Sequence, residues 1–300
     1  MLDTALAPGF WGTPTASVDW CESNYEHSFY VCELFNTVSS LAMAFAGACG
    51  IALHRRVLER RFLAAFAALL VVGVGSIAFH ATLRFELQML DELPMLYTAL
   101  ITVYLLLENR PTTRFGRWLP AALAAHGALV TYLCAFTRGQ LQFYLFQASF
   151  STLEVFALYR VYCIYRQSRS PTLRRLFRFG IGSYLLAVLL WFTDLTECPL
   201  LSVTFPRYGL PNPQFHAFWH VLVSSGMYLL VLVIAWDRLQ VLGKDPELDA
   251  WLGLVPRVAV KKLRGPVHGG WKRICVARDQ SRPPAGSKLM TNGRPMDTPD

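Results

Sequence analysis

The chain has 300 residues, 54% of them hydrophobic and only 16% charged, with a formal net charge of +8 and a mean hydropathy of +0.34. Soluble domains carry about 25% charged residues, so the composition excludes an ordinary water-soluble fold and indicates an all-α integral membrane protein. The basic excess lies mainly in connections between apolar runs, which makes it a topology signal and not the footprint of a nucleic-acid binder.

Residues 1–33 contain no Lys or Arg and lack the basic start and short apolar core of a cleavable signal peptide. Within them Asp19, Trp20, Cys21, Glu22, Ser23 and Asn24 cluster, with Glu33 further on. Hard oxygen donors at this density suit calcium, although the spacing is not that of an EF-hand, and a merely solvated acidic segment fits equally well. Apolar runs then predict seven transmembrane helices at 34–53, 62–80, 87–107, 118–136, 141–165, 179–197 and 215–236, each near the ~20 residues needed to cross a bilayer. The connections after the first, third and fifth runs hold Arg55, Arg56, Arg60 and Arg61, then Arg110, Arg114 and Arg117, then Arg166, Arg169, Arg174, Arg175 and Arg178. The opposite connections hold only Arg84, Arg138 and Arg207. The N-terminus is therefore expected on the lumenal or extracellular side and the C-terminus in the cytosol.

Residues 237–300 read as a cytosolic tail, disordered toward its end, because the stretch from about residue 278 is too rich in Pro, Gly, Ser and charge to bury a core. Its Lys261, Lys262 and Arg264 could meet anionic headgroups, although a solvated stretch is the simpler reading. Seven cysteines are too few for a disulfide scaffold at this length. Cys21 and Cys198 both fall on the oxidising side, where a bridge can persist, and two free thiols are the alternative. Cys49, Cys134 and Cys163 lie in spans and read as packing residues.

Chemistry concentrates at the lumenal edge. In HAFWH, His216 and His220 are four residues apart, which stacks both imidazoles on one helix face. His80 closes the second span, with Ser76 one turn before it, and Asp91 enters the third span from the same edge. Ionisable groups are costly in lipid and rarely lack a function there. Three imidazoles with an open fourth position are catalytic zinc geometry. Zinc would polarise a carbonyl and acidify water; Asp91 would serve as general base and then acid, and Ser76 would donate to the oxyanion. Simpler roles are a helix cap for Asp91 and a bond to its own helix for Ser76. Glu92 points about 100° away from Asp91 around the helix and is the poorer base. Glu154, within the fifth span, either lines a lipid cavity or bonds a neighbouring helix.

The stretches FWGTPTASVDWCESNY, CELFNTVSS, VVGVGSIAFHATLRFELQMLDELPM, WFTDLTEC and PQFHAFWH, spread over roughly residues 10–240, resemble the alkaline ceramidases. These belong to a wider seven-span superfamily that includes adiponectin-type receptors and Per1-like proteins. The resemblance implies a zinc-dependent amidase that takes ceramide from the bilayer and, with water, releases a sphingoid base and a fatty acid. It assigns zinc to His80, His216 and His220 and catalysis to Ser76 and Asp91. It also assigns calcium to Asp19, Trp20 (through its carbonyl), Glu22, Asn24 and Glu33, and a disulfide to Cys21 and Cys198. The expected domains are a lumenal segment 1–33, a hydrolase domain 34–236 and the tail, in an endoplasmic reticulum or Golgi membrane, or else the plasma membrane. A receptor whose zinc supports a signalling conformation is the alternative; the enzyme is favoured because the lumenal face offers no folded ligand-binding domain.

Overall fold

The computed structural model describes residues 9–261. A broken first unit, α1 (Leu34–Ser39) and α2 (Leu41–His54), is followed by α3 (Arg60–Thr82), α4 (Phe85–Leu107), α5 (Trp118–Phe136), α6 (Gly139–Gln167) and α7 (Pro171–Thr196). A π-helix over Leu200–Thr204 and the single-turn α8 (Phe205–Arg207) lead into α9 (Phe215–Val241). Strands β1 (Pro246–Trp251) and β2 (Val255–Val260) close the described chain as an antiparallel hairpin, with Pro246 opposite Val260 and Trp251 opposite Val255.

Among the described residues six helical units are long and apolar enough to cross a membrane: Leu34–His54, α3, α4, α5, α7 and α9. At 29 residues α6 is the longest helix, but Gln140, Gln142, Gln147, Ser149, Ser151 and Glu154 lower its hydropathy. Lipid supplies no hydrophobic drive for helices to associate, so close packing must come from small residues. An ideal Cβ on Gly73 would lie 2.2 Å from the Ala44 nitrogen, one on Gly47 2.4 Å from the Leu70 nitrogen, and one on Gly75 2.1 Å from the Leu90 carbonyl oxygen. These glycines seat α2 and α4 on opposite sides of α3. Gly226 does the same for α9 against α7, where its Cβ would come 2.9 Å from the Tyr184 nitrogen.

The C-terminal end of α3 would leave carbonyls without helical partners. The N-terminal segment satisfies them: Cys32 N–H donates to Ala81, Glu33 N–H to His80, and both Thr15 and Ala16 N–H to Leu83, whose left-handed φ of 47° ends the helix. Residues 9–33 are thereby sewn to the turn that carries His80.

Past Trp236, the first part of the segment read as a tail is ordered. Helix α9 continues to Val241 and the hairpin folds back on the bundle, with Val258 N–H donating to His54 Nε2 at 3.1 Å and Tyr228 OH to the Pro256 carbonyl at 2.7 Å. Its three-residue loop is made possible by left-handed Leu252 (φ 51°) and Gly253 (φ 72°). The stretch from about residue 278, together with Lys262 and Arg264, lies outside the described residues.

Gly75→Ala should cost about 1–3 kcal/mol, because the methyl meets backbone on α4 and the helix itself must move. Gly182→Ala, whose Cβ meets nothing within 4 Å, should be neutral or slightly stabilising. Thermal unfolding of both variants in detergent, run together, tests this contrast.

Candidate metal centre

His80 sits on the last turn of α3, and His216 and His220 on the first two turns of α9. Their ligating nitrogens all lie within 4.8 Å of one another, and all three side chains are buried. Among the described residues no other group of three or more His, Cys, Asp or Glu side chains comes together this way. The ring centroids form a nearly even triangle, 5.1 Å for His80 to His216, 4.9 Å for His80 to His220 and 4.7 Å for His216 to His220.

Each ring is held from behind. His80 Nδ1 lies 2.5 Å from Glu33 Oε2, which leaves Nε2 toward the other rings. His220 Nδ1 lies 2.8 Å from Ser39 Oγ, and its Nε2 is 3.5 Å from Ser76 Oγ. His216 is fixed by stacking, with Trp20 at 3.8 Å and Trp219 at 4.9 Å between centroids, while its Nδ1 is buried without a hydrogen-bond partner. Three imidazoles buried this closely, each oriented by a carboxylate, a hydroxyl or an indole, fit a divalent cation that accepts nitrogen ligands.

Ser76 and Asp91 reach the same region from α3 and α4. Ser76 Oγ is 2.9 Å from Ser40 Oγ. Asp91 is buried, and its Oδ1 has no hydrogen-bond partner among the described residues. The neighbouring Glu92 has a partner on each oxygen, accepting from Gln88 Nε2 at 2.9 Å and from Gln142 Nε2 at 2.6 Å. Of the two adjacent acids, therefore, Asp91 is the one with a free oxygen.

Both acids line a cavity of about 320 Å³ between α3, α4, α6, α7 and α9. Trp20, Trp219 and His216 line it, as do Leu69, Glu154, Leu158, Tyr184 and Met227; Met227 lies eleven residues, about 16 Å, further along α9 than His216. Val155, Leu185 and Val188 line it as well and are 68%, 55% and 39% exposed, so on the side between α6 and α7 the cavity is bounded by accessible apolar side chains.

A disulfide joins Cys21 to Cys198, with their Cα atoms 5.2 Å apart. It pins the Trp20 segment to the connection between α7 and α9, helped by Cys21 N–H on Asp194 Oδ2 at 3.2 Å and Asn212 Nδ2 on the Cys21 carbonyl at 2.7 Å. The expected calcium residues share this segment, but their oxygens point to different partners. Asn24 Nδ2 donates to both Asp19 oxygens at 3.2 and 3.1 Å. Glu22 accepts the Phe35 and Asn36 backbone N–H groups at 2.7 and 2.8 Å, and Glu33 faces His80. Glu33 keeps its other oxygen, Oε1, buried without a hydrogen-bond partner among the described residues. Burial pushes the Glu22 carboxyl up to about 7, against the pull of the Phe35 and Asn36 N–H groups. Burial raises Asp19 too, opposed by Asn24.

Sequence reasoning missed the roles of Ser39, Ser40, Gln88, Gln142, Asp194 and Asn212. Gln88 and Glu92 were accessible through their four-residue spacing on one helix face. The others act through contacts between distant segments and leave no periodic trace.

A family model described as Ceramidase matches residues 12–259. The chain is 34% identical over 273 residues to alkaline ceramidase 3 of Mus musculus, covering 85% of this chain and 96% of the relative. It is 29% identical over 255 residues to the alkaline ceramidase of Arabidopsis thaliana, covering 84% and 96%.

The Glu33 contact on His80 carries its own test. Glu33→Gln keeps the shape but removes the charge that favours the oriented imidazole, and affinity for a divalent metal should fall about 10–100-fold. Competition against a chelator of known affinity measures this directly; unchanged affinity would assign Glu33 a packing role only.

Proposed function

The chain belongs to the ceramidase family, and on that premise we propose that it is a zinc-dependent intramembrane amidase, cleaving the N-acyl bond of ceramide with water to a sphingoid base and a free fatty acid. The observation that carries this reading is the shared cavity: His216 of the triad and the free carboxyl of Asp91 border one volume walled by apolar side chains. When bound, zinc would be held by His80, His216 and His220 and would polarise a carbonyl and lower the pKa of water toward neutrality. Asp91 takes the proton of the attacking water as the C–O bond forms, then returns it to the amine nitrogen as the oxyanion collapses and the amide C–N bond breaks. Ser76, oriented by Ser40, donates to the oxyanion that develops on the carbonyl. Val155, Leu185 and Val188 mark where a lipid can pass between α6 and α7 without leaving the bilayer.

Counting α6 as a span gives seven, with the N-terminal segment and metal centre lumenal or extracellular and the hairpin cytosolic. The distribution of arginines supports this orientation, and the Cys21–Cys198 bridge agrees with an oxidising compartment on the N-terminal side. We place the protein in the endoplasmic reticulum or Golgi membrane.

The reading makes distinct demands on each residue. Alanine at His80, His216 or His220 should remove zinc and reduce sphingoid-base release to background. Asp91→Asn should do so with zinc retained, while Ser76→Ala should lose about 10²–10³-fold in kcat. Turnover by purified protein with elemental analysis checks all three, and an active wild type without stoichiometric zinc would refute the assignment.

Calcium activation is the second part of the proposal. It is supported by the chemistry of the donor set, Asp19, Glu22, Glu33, Asn24 and the Trp20 carbonyl, a cluster rich in hard oxygen. Binding would require Glu22 to give up two N–H partners and Asn24 to present its oxygen. With a folded pKa near 7 against 4.5 unfolded, Glu22 should make the calcium-free protein lose stability as pH rises from 4.5 through 7 and change little beyond. Calcium should restore that loss in wild type; Glu22→Gln, with no carboxyl to ionise, should lack the loss and be stabilised less by calcium. Thermal unfolding across pH with and without calcium tests it; an equal calcium response in both proteins would move the ion elsewhere.

A further inference from the structure

Glu154 projects from α6 into the end of the cavity remote from the histidines, among Leu69, Leu158 and Met227. It is 6% exposed. Its Oε2 accepts from Tyr184 OH on α7 at 2.8 Å, the one hydrogen bond this carboxyl makes among the described residues. Met227 follows His216 by eleven residues and Leu69 precedes His80 by eleven, so this end lies about 16 Å along the helices from the metal centre. Tyr184 is at the same depth, because its backbone nitrogen abuts Gly226. The pair is therefore too far away to act on the amide or on hydroxyls beside it. No step of the reaction uses it, yet an ionisable side chain within the spans is costly to keep.

We propose that Glu154 and Tyr184 form a polar floor that sets how long a hydrocarbon chain the cavity accepts. A carboxyl group has capacity for about four hydrogen bonds, and here one is used. A chain that stops short of the floor leaves the remaining capacity open. A chain that reaches it lays methylene groups over a carboxyl oxygen and seals that oxygen without a partner, which is unfavourable. Length discrimination thus arises from a polar stop at the floor; an apolar floor would reward each added methylene instead. The inference rests on the ceramidase reading for the identity of the lipid, while the floor itself is a property of the cavity.

The test compares the full chain with Glu154→Leu/Tyr184→Phe, which makes the floor apolar, and with Glu154→Gln, which keeps it polar. Each is reconstituted in phosphatidylcholine nanodiscs. One arm measures thermal stabilisation by saturated fatty acids of six to twenty-four carbons. The other measures kcat/KM for ceramides varied in the acyl chain, and separately in the sphingoid chain, over the same range. The double variant should favour longer chains over shorter ones by about tenfold relative to wild type, in one of the two ceramide series and in the binding arm. The shortest chains should be unaffected, and Glu154→Gln should keep the wild-type profile. A change of equal size at every length, or none at any length, would overturn the proposal and leave the pair as a clamp between α6 and α7. Absence of ceramide turnover by the wild type would instead refute the activity, with the binding arm still deciding the floor.

Discussion

Three buried imidazoles whose ligating nitrogens lie within 4.8 Å of one another are the constraint on which the rest of this structure depends. Buried nitrogen donors at such spacing are unfavourable unless something shared satisfies them, and their positions must be set before an ion arrives. Two of the three are set by one short element. Glu33, immediately before α1, meets His80, and Ser39, the last residue of α1, meets His220. Six residues of helix therefore hold α3 and α9 in register with each other. That arrangement requires α2 to lie close against α3, which Gly47 and Gly73 permit.

The N-terminal segment extends the same logic. Its backbone N–H groups satisfy the carbonyls at the end of α3, while the Cys21–Cys198 bridge, Asp194 and Asn212 fasten it to the approach to α9. It thus spans the two helices that carry the histidines and lays Trp20 flat on His216. The consequence is mechanical as well as chemical. Residues 19–24 thus touch His216 through Trp20 and the start of α1, next to Glu33, through the Glu22 bonds to the Phe35 and Asn36 N–H groups.

Much of this was legible in the sequence where helical periodicity carries the information. The spacings of His216 to His220 and of Ser76 to His80 put each pair on one face, and the angle between Asp91 and Glu92 separated a free acid from an engaged one. The start of α7 was misplaced for a physical reason. Hydropathy expected the span from 179 because Arg174, Arg175 and Arg178 interrupt the apolar run, but a helix does not end at the membrane surface. Ser170 and Pro171 begin it, with the Ser170 side chain accepting the Leu173 N–H. Glu33 was harder to place. Beside other acids it reads as a calcium ligand, and only the folded chain shows it behind His80. The hairpin after Val241 was hidden for another reason: its strands are six residues each, and the contact that fixes it, Val258 on His54, joins residues about two hundred apart.

Helix α6 shows why a hydropathy reading weakens where function is densest. It has ample length to span a bilayer, yet Gln142 and Glu154 are buried within it. Both are accounted for: Gln142 holds Glu92, which leaves Asp91 as the acid with an open oxygen, and Glu154 takes Tyr184 at the far end of the cavity. A helix that lines a polar-ended cavity must carry such residues inward while keeping apolar ones toward lipid, so its average hydropathy falls although its outer face remains suited to the membrane. In α6 the outward residues Tyr144, Val155 and Tyr159 are 63%, 68% and 62% exposed, as that division requires. The low hydropathy of α6 is thus a consequence of its place at the wall of the cavity.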